Sequence, residues 1–414
     1  MSREFKNSGI PWIGDIPKDW DIENIGSCLK EVHNLNSDCS EDNALQFKMG
    51  TIISKKNGDS KYNPETLEAY NKVEVGDIVI NGLNLSFDLI SMRVGQVKEN
   101  GVITSAYLTV RPLPHLCSDY MTYLFKGYDA CKALHGMGKG LRQTLSYKEF
   151  RKYLVFLPPL PEQQKIASFL DKKCSEIDEM VVLQEKIIEE LKAYKQSVIT
   201  EAVTKGIRNE ELGMRNYKDS GIEWIGEIPE SWEVKRLKYI ATRHNQKVSD
   251  EILPYIGLEN IESFSERFIE TDNEYDITQA QICHVGDVIF GKLRPYLGKA
   301  MVIKKEHCCS SEFVVLACAT PSYLRYLMLS DWFIEIVNSS TYGTKMPRAN
   351  ADYIMNMKVV CPSVEERNEI ADYLDKKCTE IDSLISIKQS KIESLKEYKK
   401  SIIYEYVTGK KEVI

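Results

Sequence analysis

The chain contains one module twice. Ser8-Gly9-Ile10-Pro11-Trp12-Ile13-Gly14-Asp15-Ile16-Pro17-Lys18-Asp19-Trp20 returns 212 residues later as Ser220-Gly221-Ile222-Glu223-Trp224-Ile225-Gly226-Glu227-Ile228-Pro229-Glu230-Ser231-Trp232. Leu170-Asp171-Lys172-Lys173-Cys174-Ser175-Glu176-Ile177-Asp178 returns 204 residues later with Thr379 in place of Ser175. A period this long is not a solenoid repeat but a duplicated domain-sized unit. The two copies agree at their edges and differ in their middles, so the pattern points to one scaffold used twice, carrying two different surfaces.

From Pro161 to about Lys205 no Gly or Pro interrupts the chain after its first residue, and apolar side chains recur three and four apart: Ile166, Leu170, Cys174, Ile177, Val181, Ile188, Leu191, Val198 and Ala202. This spacing predicts a long amphipathic helix. The second copy, from about Glu365 to Val407, keeps the register with Ile370, Leu374, Cys378, Ile381, Ile385, Ile392, Leu395, Ile402 and Tyr406. A helix of about 44 residues would run roughly 65 Å, too long for a compact domain and suited to a rod. Two equal stripes predict antiparallel pairing as a coiled coil, with Leu170, Ile177, Leu191, Leu374, Ile381 and Leu395 as partner-binding positions and the outer faces left for another protein.

Ahead of each helix lies a mixed segment. Val75 to Ile80, Tyr107 to Val110, Val285 to Phe290 and Phe313 to Leu316 read as short strands, and Asp119 to Lys126 and Tyr323 to Val337 as helices. The expected fold class is α+β: two globular domains separated by two long antiparallel helices, with an internal pseudo-two-fold repeat. The boundaries expected are 1–157 and 217–361 for the globular domains, 158–205 for the first long helix, 206–216 for a polar linker, and 362–414 for the second helix and tail. Proline-rich Leu157 to Pro161 ends a strand and opens the first helix, because proline is tolerated in a helix's first turn.

The formal charge of -7 excludes a protein that coats nucleic acid by its overall field. Any nucleic-acid contact must rest on local basic surface, and charge is indeed segregated. Asp250 to Asp287 is strongly acidic with Arg267 as its one Lys or Arg, whereas Val288 to Lys305 holds five cations and no acid. Within that run Lys292, Arg294 and Lys299 alternate with Tyr296 and two glycines, a composition suited to phosphates and base edges. Lys345 and Arg348 form a second cationic turn, and Lys139, Arg142 and Gln143 are its counterpart in the first copy. These nine residues are the candidate DNA-binding set. The plain alternative for each loop is a solvated surface turn.

No covalent chemistry is legible. There is no GxxxxGK[ST], HExxH or Gly-x-Ser-x-Gly, and the glycine-rich Gly136 to Gly140 follows no strand with a dinucleotide fingerprint. His307-Cys308-Cys309 lacks a second pair of ligands, so core or surface thiols are expected there instead of a metal. Eleven scattered cysteines, without a CxxC pair or a leading apolar run, suit a reduced cytoplasmic protein. No run approaches 18 apolar residues, so no membrane association is expected. Trp12, Trp20, Trp224 and Trp232 recur in both copies, which favours packing against the scaffold over base stacking.

The paired openings, the paired Leu-Asp-Lys-Lys-Cys-x-Glu-Ile-Asp, Leu157 to Gln163 at the first helix start and the helix ends Glu201 to Thr204 and Tyr406 to Lys410 resemble the DNA specificity subunit of type I restriction–modification systems. Gly291 to Leu297 resembles a motif of that family's recognition domains. Two departures are visible: Cys361 to Arg367 at the second helix start, and Gly82 to Phe87 where the second copy has the Lys-Leu-Arg-Pro-Tyr run. The resemblance implies a non-catalytic reader of double-stranded DNA. Each target-recognition domain would read half of a split, asymmetric site, with the helices as a ruler for the unread spacer. It also implies two methyltransferase subunits and restriction/translocase subunits as partners, with S-adenosylmethionine, ATP and Mg on those subunits and no cofactor on this chain. Two other readings stay open at this stage: a coiled-coil scaffold with protein-binding globular ends, and an enzyme in its own right.

Overall fold

The computed structural model describes residues 3–10, 12–55, 67–85, 92–139, 143–207, 216–248, 253–271 and 279–413. It divides into two compact units, Met1–Gln184 with Ser390–Ile414, and Glu185–Gln389. Most of the expected linker, residues 208–215, lies outside the described residues.

In the first unit an antiparallel sheet is built from β1 (Leu29–Glu31), β2 (Ile78–Ile80), β3 (Val94–Gln96) and β4 (Leu108–Pro112), in the order β1-β4-β2-β3. In the second unit β5 (Thr242–His244), β6 (Val288–Gly291), β7 (Ala300–Val302) and β8 (Phe313–Ala317) take the order β5-β8-β6-β7. The topology is the same. The central strands are buried on both faces, which is why Ile78-Val79-Ile80 and Val288-Ile289-Phe290 read as continuous apolar runs instead of alternating ones. Each unit also pairs a strand after its opening motif with the strand that leads into its long helix: Asp21–Asn24 with Leu154–Leu157, and Glu233–Arg236 with Lys358–Cys361. The middles differ. The first unit adds a Leu45–Lys48/Thr51–Ser54 hairpin and a Tyr70–Val73/Gly101–Thr104 ribbon, whereas the second adds a three-stranded sheet of Tyr255–Ile256, His307–Cys309 and Gln281–Cys283.

Helix α1 (Ser118–Ala130) flanks the first sheet. In the second unit the segment expected as one helix is two, α3 (Pro321–Leu329) and α4 (Asp331–Ser339), broken at Ser330, whose ψ of 150° is extended. Ser330 is buried there and bonds the Leu327 carbonyl at 2.7 Å. The long helices are α2 (Leu160–Lys205) and α5 (Val364–Val407). Each contributes residues to both units, so the compact units regroup the five successive segments expected from sequence.

Within the first unit Lys399 Nζ bonds both carboxylate oxygens of Asp178 at 2.6 and 2.7 Å, and the Phe169 and Tyr406 rings lie 4.5 Å apart. Numbers rise on one helix as they fall on the other, so the segments are antiparallel. Within the second unit Lys195 bonds Asp382 at 2.7 and 2.8 Å, while Ile199, Ala202 and Val203 share a core with Ile370, Ala371, Leu374 and Cys378. These contacts explain the repeated nonapeptide. Its first acid, Asp171 or Asp375, accepts from Tyr123 or Tyr326 at 2.7 and 2.6 Å. Its cysteine, Cys174 or Cys378, is buried, and burial pushes the thiol up. Its last acid, Asp178 or Asp382, takes the lysine of the opposing helix.

The tryptophans divide into two kinds. Trp20 and Trp232 are fully buried and donate their indole N–H to Glu162 and Glu366 at 3.2 and 3.0 Å, which ties each opening to the first turn of a long helix. Trp12 and Trp224 remain 39% and 48% exposed, so the expectation that all four are packed is corrected for these two. Trp12 meets the edge of Tyr128 at 5.0 Å.

Fully buried Leu170 and Leu374 anchor the helices to their units. Truncating either to Ala should cost about 2–5 kcal/mol, whereas Val182→Ala, at 64% exposure, should cost under about 0.5 kcal/mol. Thermal unfolding of the full chain checks this, and equal losses at all three positions would contradict the packing.

Candidate nucleic-acid interface

In the second unit, β6 runs out into a loop that begins at Lys292, and the chain between Tyr342 and Arg348 folds back on itself through bonds of 3.1 and 3.2 Å. Backbone bonds tie the two segments together. Arg294 N–H donates to the Pro347 carbonyl at 2.7 Å, Ala349 N–H donates to the Lys292 carbonyl at 3.0 Å, and Leu293 bridges to Arg348. The two cationic stretches, about fifty residues apart in sequence, are therefore one surface. The side chains on it have unequal freedom. Lys299 is turned inward to the Leu258 carbonyl at 2.6 Å, and burial lowers its pKa. Lys292 is half-buried, and desolvation, with Arg243 and Arg348 nearby, lowers its pKa against the pull of Glu312. Arg348 is held bidentately by Glu312 at 2.9 and 2.6 Å. Arg294 and Lys345 are exposed, with no hydrogen-bonded or ionic partner among the described residues. Tyr296 is 46% and Tyr342 61% exposed beside them.

The first unit repeats the frame with other side chains. Lys139 and Thr144 exchange backbone bonds at 3.0 and 3.2 Å, Leu145 N–H donates to the Gly82 carbonyl at 2.9 Å, and Leu85 N–H donates to the Gln143 carbonyl at 3.3 Å. Gly82 permits this approach, since a Cβ there would sit 2.9 Å from the backbone oxygen and the Cβ of Leu145. Lys139 is exposed but paired with Glu149 at 2.9 Å, which raises the lysine and lowers the carboxylate. Gln143 is half-buried at a positive φ of 44°. Arg142 lies outside the described residues.

The structure thus gathers Lys292, Arg294, Tyr296, Lys345 and Arg348 in one place, turns Lys299 to a structural bond, and sets Lys139 and Gln143 at the matching place in the other unit. The sequence reading missed Asn84, Tyr342 and Glu312. Asn84 was legible from the Val75-Gly76-Asp77 and Val285-Gly286-Asp287 alignment, which sets it opposite Arg294. The partner-binding positions need correction. Leu170, Ile177, Leu374 and Ile381 are 0–4% exposed, and Leu191 and Leu395 are half-buried, because the stripes are consumed by each unit's own core. What stays outside on the helices is a neighbouring face: Met180, Leu183 and Tyr398 in the first unit, and Leu384, Ile387 and Tyr194 in the second. These are equivalent positions, 204 residues apart. His307 lies on a strand with buried Cys308 and Cys309. Among the described residues no helix is long and apolar enough to cross a membrane.

Residues 225–408 match the family described as the type I restriction modification DNA specificity domain. The type I restriction enzyme MjaVIII specificity subunit of Methanocaldococcus jannaschii is 24% identical over 424 residues, covering 95% of this chain and 93% of the relative. Over nearly its whole length the chain is similar to type I restriction enzyme specificity subunits. The EcoDI specificity subunit of Escherichia coli is 24% identical over 52% of this chain and 53% of its own length. Two solved structures share the fold. One, from work on complex assembly and conformational transition of the type I R-M system, has a TM-score of 0.68 at 14% identity, covering 95% of this chain and 99% of the other. The HsdS subunit from Thermoanaerobacter tengcongensis has 0.52 at 14%, covering 95% and 98%.

On this interface, free and paired cations should contribute differently to the salt dependence of DNA binding. Lys345→Ala should flatten the slope of log K against log salt by about 0.9, one phosphate's worth. Arg348→Ala, which releases Glu312 as it removes a cation, should weaken binding and also loosen the loop. Titration at several salt concentrations separates them. An unchanged slope for Lys345→Ala would remove that residue from the contact set.

Proposed function

We propose that the chain is the sequence-reading, non-catalytic component of a type I restriction–modification complex, with each unit reading one half of a bipartite, asymmetric double-stranded target. The observation that carries this reading is the matched pair of loop frames: in both units a carbonyl just past the central strand, Gly82 or Lys292, accepts from the residue that follows the second loop, Leu145 or Ala349, while the side chains on the loops differ. One frame with two sets of side chains is what recognition of two unlike half-sites needs. Exposed Arg294, Lys345 and Tyr296 supply charge, bidentate donors and an aromatic face in a chain whose net charge is -7, so the attraction is local.

In this proposal two methyltransferase subunits dock on the chain and restriction/translocase subunits join them. S-adenosylmethionine, ATP and Mg belong to those partners, and the assembly works in the cytoplasm. The equivalent outer faces at Met180, Leu183 and Tyr398 and at Leu384, Ile387 and Tyr194 favour two copies of one partner. Residues three apart on a helix present one ridge, which suits packing against a partner helix.

Co-expression with the methyltransferase subunit and single-molecule mapping of methylated adenines should yield one bipartite motif that vanishes when this chain is omitted. Methylation that persists without the chain would overturn the reading. Leu183→Glu together with Ile387→Glu should abolish co-purification of the methyltransferase without lowering the melting temperature. Retained co-purification would place the docking surface elsewhere.

A further inference from the structure

We infer that Asn84 and Arg294 occupy one and the same base-reading position in the two heads, Asn84 reading an adenine of one half-site and Arg294 a guanine of the other. The inference rests on the DNA-reading function proposed above and adds residue identity to it. The equivalence is structural. Both residues follow the central strand of their sheet, 210 positions apart, and both lie in the left-handed region, at φ 51° and 50°. Around both, the chain is fixed by matching bonds. Carbonyl groups two residues earlier, Gly82 and Lys292, accept from Leu145 and Ala349 at 2.9 and 3.0 Å. The equivalent carbonyls Pro347 and Gln143 also accept from the two loops, from the Arg294 N–H in one and from the N–H of Leu85, one residue beyond Asn84, in the other.

A left-handed conformation costs little for asparagine and more for arginine. That both heads hold it, with the strain accepted at Arg294, indicates that the geometry serves the position and not only the local preference of one side chain. Arg294 is followed by Pro295 and a short turn in which Leu297 N–H bonds the Arg294 carbonyl at 2.9 Å, so the Cα is held from both sides. Both side chains are exposed, and neither has a hydrogen-bond partner among the described residues. The backbone at both positions is held by hydrogen bonds while the side chains are exposed.

The pair of residue types favours base over phosphate. An asparagine amide can donate to a phosphate oxygen as an arginine does, but a grip resting on charge is not what the two heads share, because Asn84 has none. Arginine and asparagine are instead the side chains that pair bidentately with guanine O6/N7 and adenine N6/N7 in the major groove. The neighbouring Lys345, free and charged, is placed to hold the backbone, leaving Arg294 for the base edge.

Glycine keeps the left-handed backbone and removes the side chain, so Asn84→Gly and Arg294→Gly test the side chains alone. Each variant, as the full chain co-expressed with the methyltransferase subunits, is read by methylated-adenine sequencing and by binding of its complex to oligonucleotides. Arg294→Gly should relax one guanine in one half-site, and Asn84→Gly one adenine in the other. Discrimination at that base pair should fall about 5- to 150-fold while the other half-site is unchanged. Arg294→Lys keeps the charge and should still relax the guanine. An unchanged motif with uniformly weaker binding, rescued by lysine, would overturn the inference in favour of a phosphate grip. An unchanged motif with unchanged affinity would overturn it in favour of a purely conformational role. Absence of any motif with the wild-type chain would instead sink the DNA-reading function itself.

Discussion

The antiparallel pairing of the two long helices is the constraint on which the rest depends. Each compact unit is closed by the leading half of one helix and the trailing half of the other: Asp178 with Lys399 in one, Asp382 with Lys195 in the other. Neither copy of the sequence completes a unit alone. Ile199, Ala202 and Val203, from the end of the first copy's helix, belong to a core otherwise made by the second copy, with Trp232, Phe290 and Leu374. That exchange explains why the repeat is strict at its edges. The repeated nonapeptide faces equivalent environments in the two units, so Asp171/Asp375, Cys174/Cys378 and Asp178/Asp382 answer the same packing demand twice.

The middles escape this demand. Beyond the shared sheet order, the extra layers differ between units. What they preserve is the short-range frame under the loops: a carbonyl of the strand-end loop bonded to the chain that follows the second loop. The division of cations follows from the same frame. Lys299 and Arg348 are spent on holding loops, through the Leu258 carbonyl and Glu312, whereas Arg294 and Lys345 stand clear. Composition alone cannot separate these roles, since each is a cation in a loop.

Much of the architecture was legible because it is written in period and repetition. The helices occupy Leu160–Lys205 and Val364–Val407, within a residue or so of where the apolar spacing set them, because no glycine or proline breaks the run. The strands Ile78–Ile80, Val288–Gly291, Leu108–Pro112 and Phe313–Ala317 fall in the expected runs. The site was only half legible. Asn84 carries no charge, so a search for cations passes over it, and its relevance comes from a backbone angle shared with Arg294. The apolar stripe was assigned to a partner helix, but a stripe's periodicity does not say what it packs against. Here the globular segments and the second helix bury Leu170, Ile177, Leu374 and Ile381, and the face left over is one step around the helix, at Leu183 and Ile387.

An acidic chain that reads DNA gains selectivity from its weakness. Non-specific affinity comes from phosphate neutralisation summed over many cations, and each contact adds about one counterion released to the salt dependence. With -7 overall and several loop cations already paired to Glu149 or Glu312, little of that sequence-blind attraction is available to the chain alone. What remains is concentrated at a few fixed side chains, where a wrong base pair costs about 1–3 kcal/mol. The ratio of specific to non-specific binding is raised by lowering the second term. Paired cations in the recognition loops are then consistent with the function: they hold the reading residues still without making every sequence attractive.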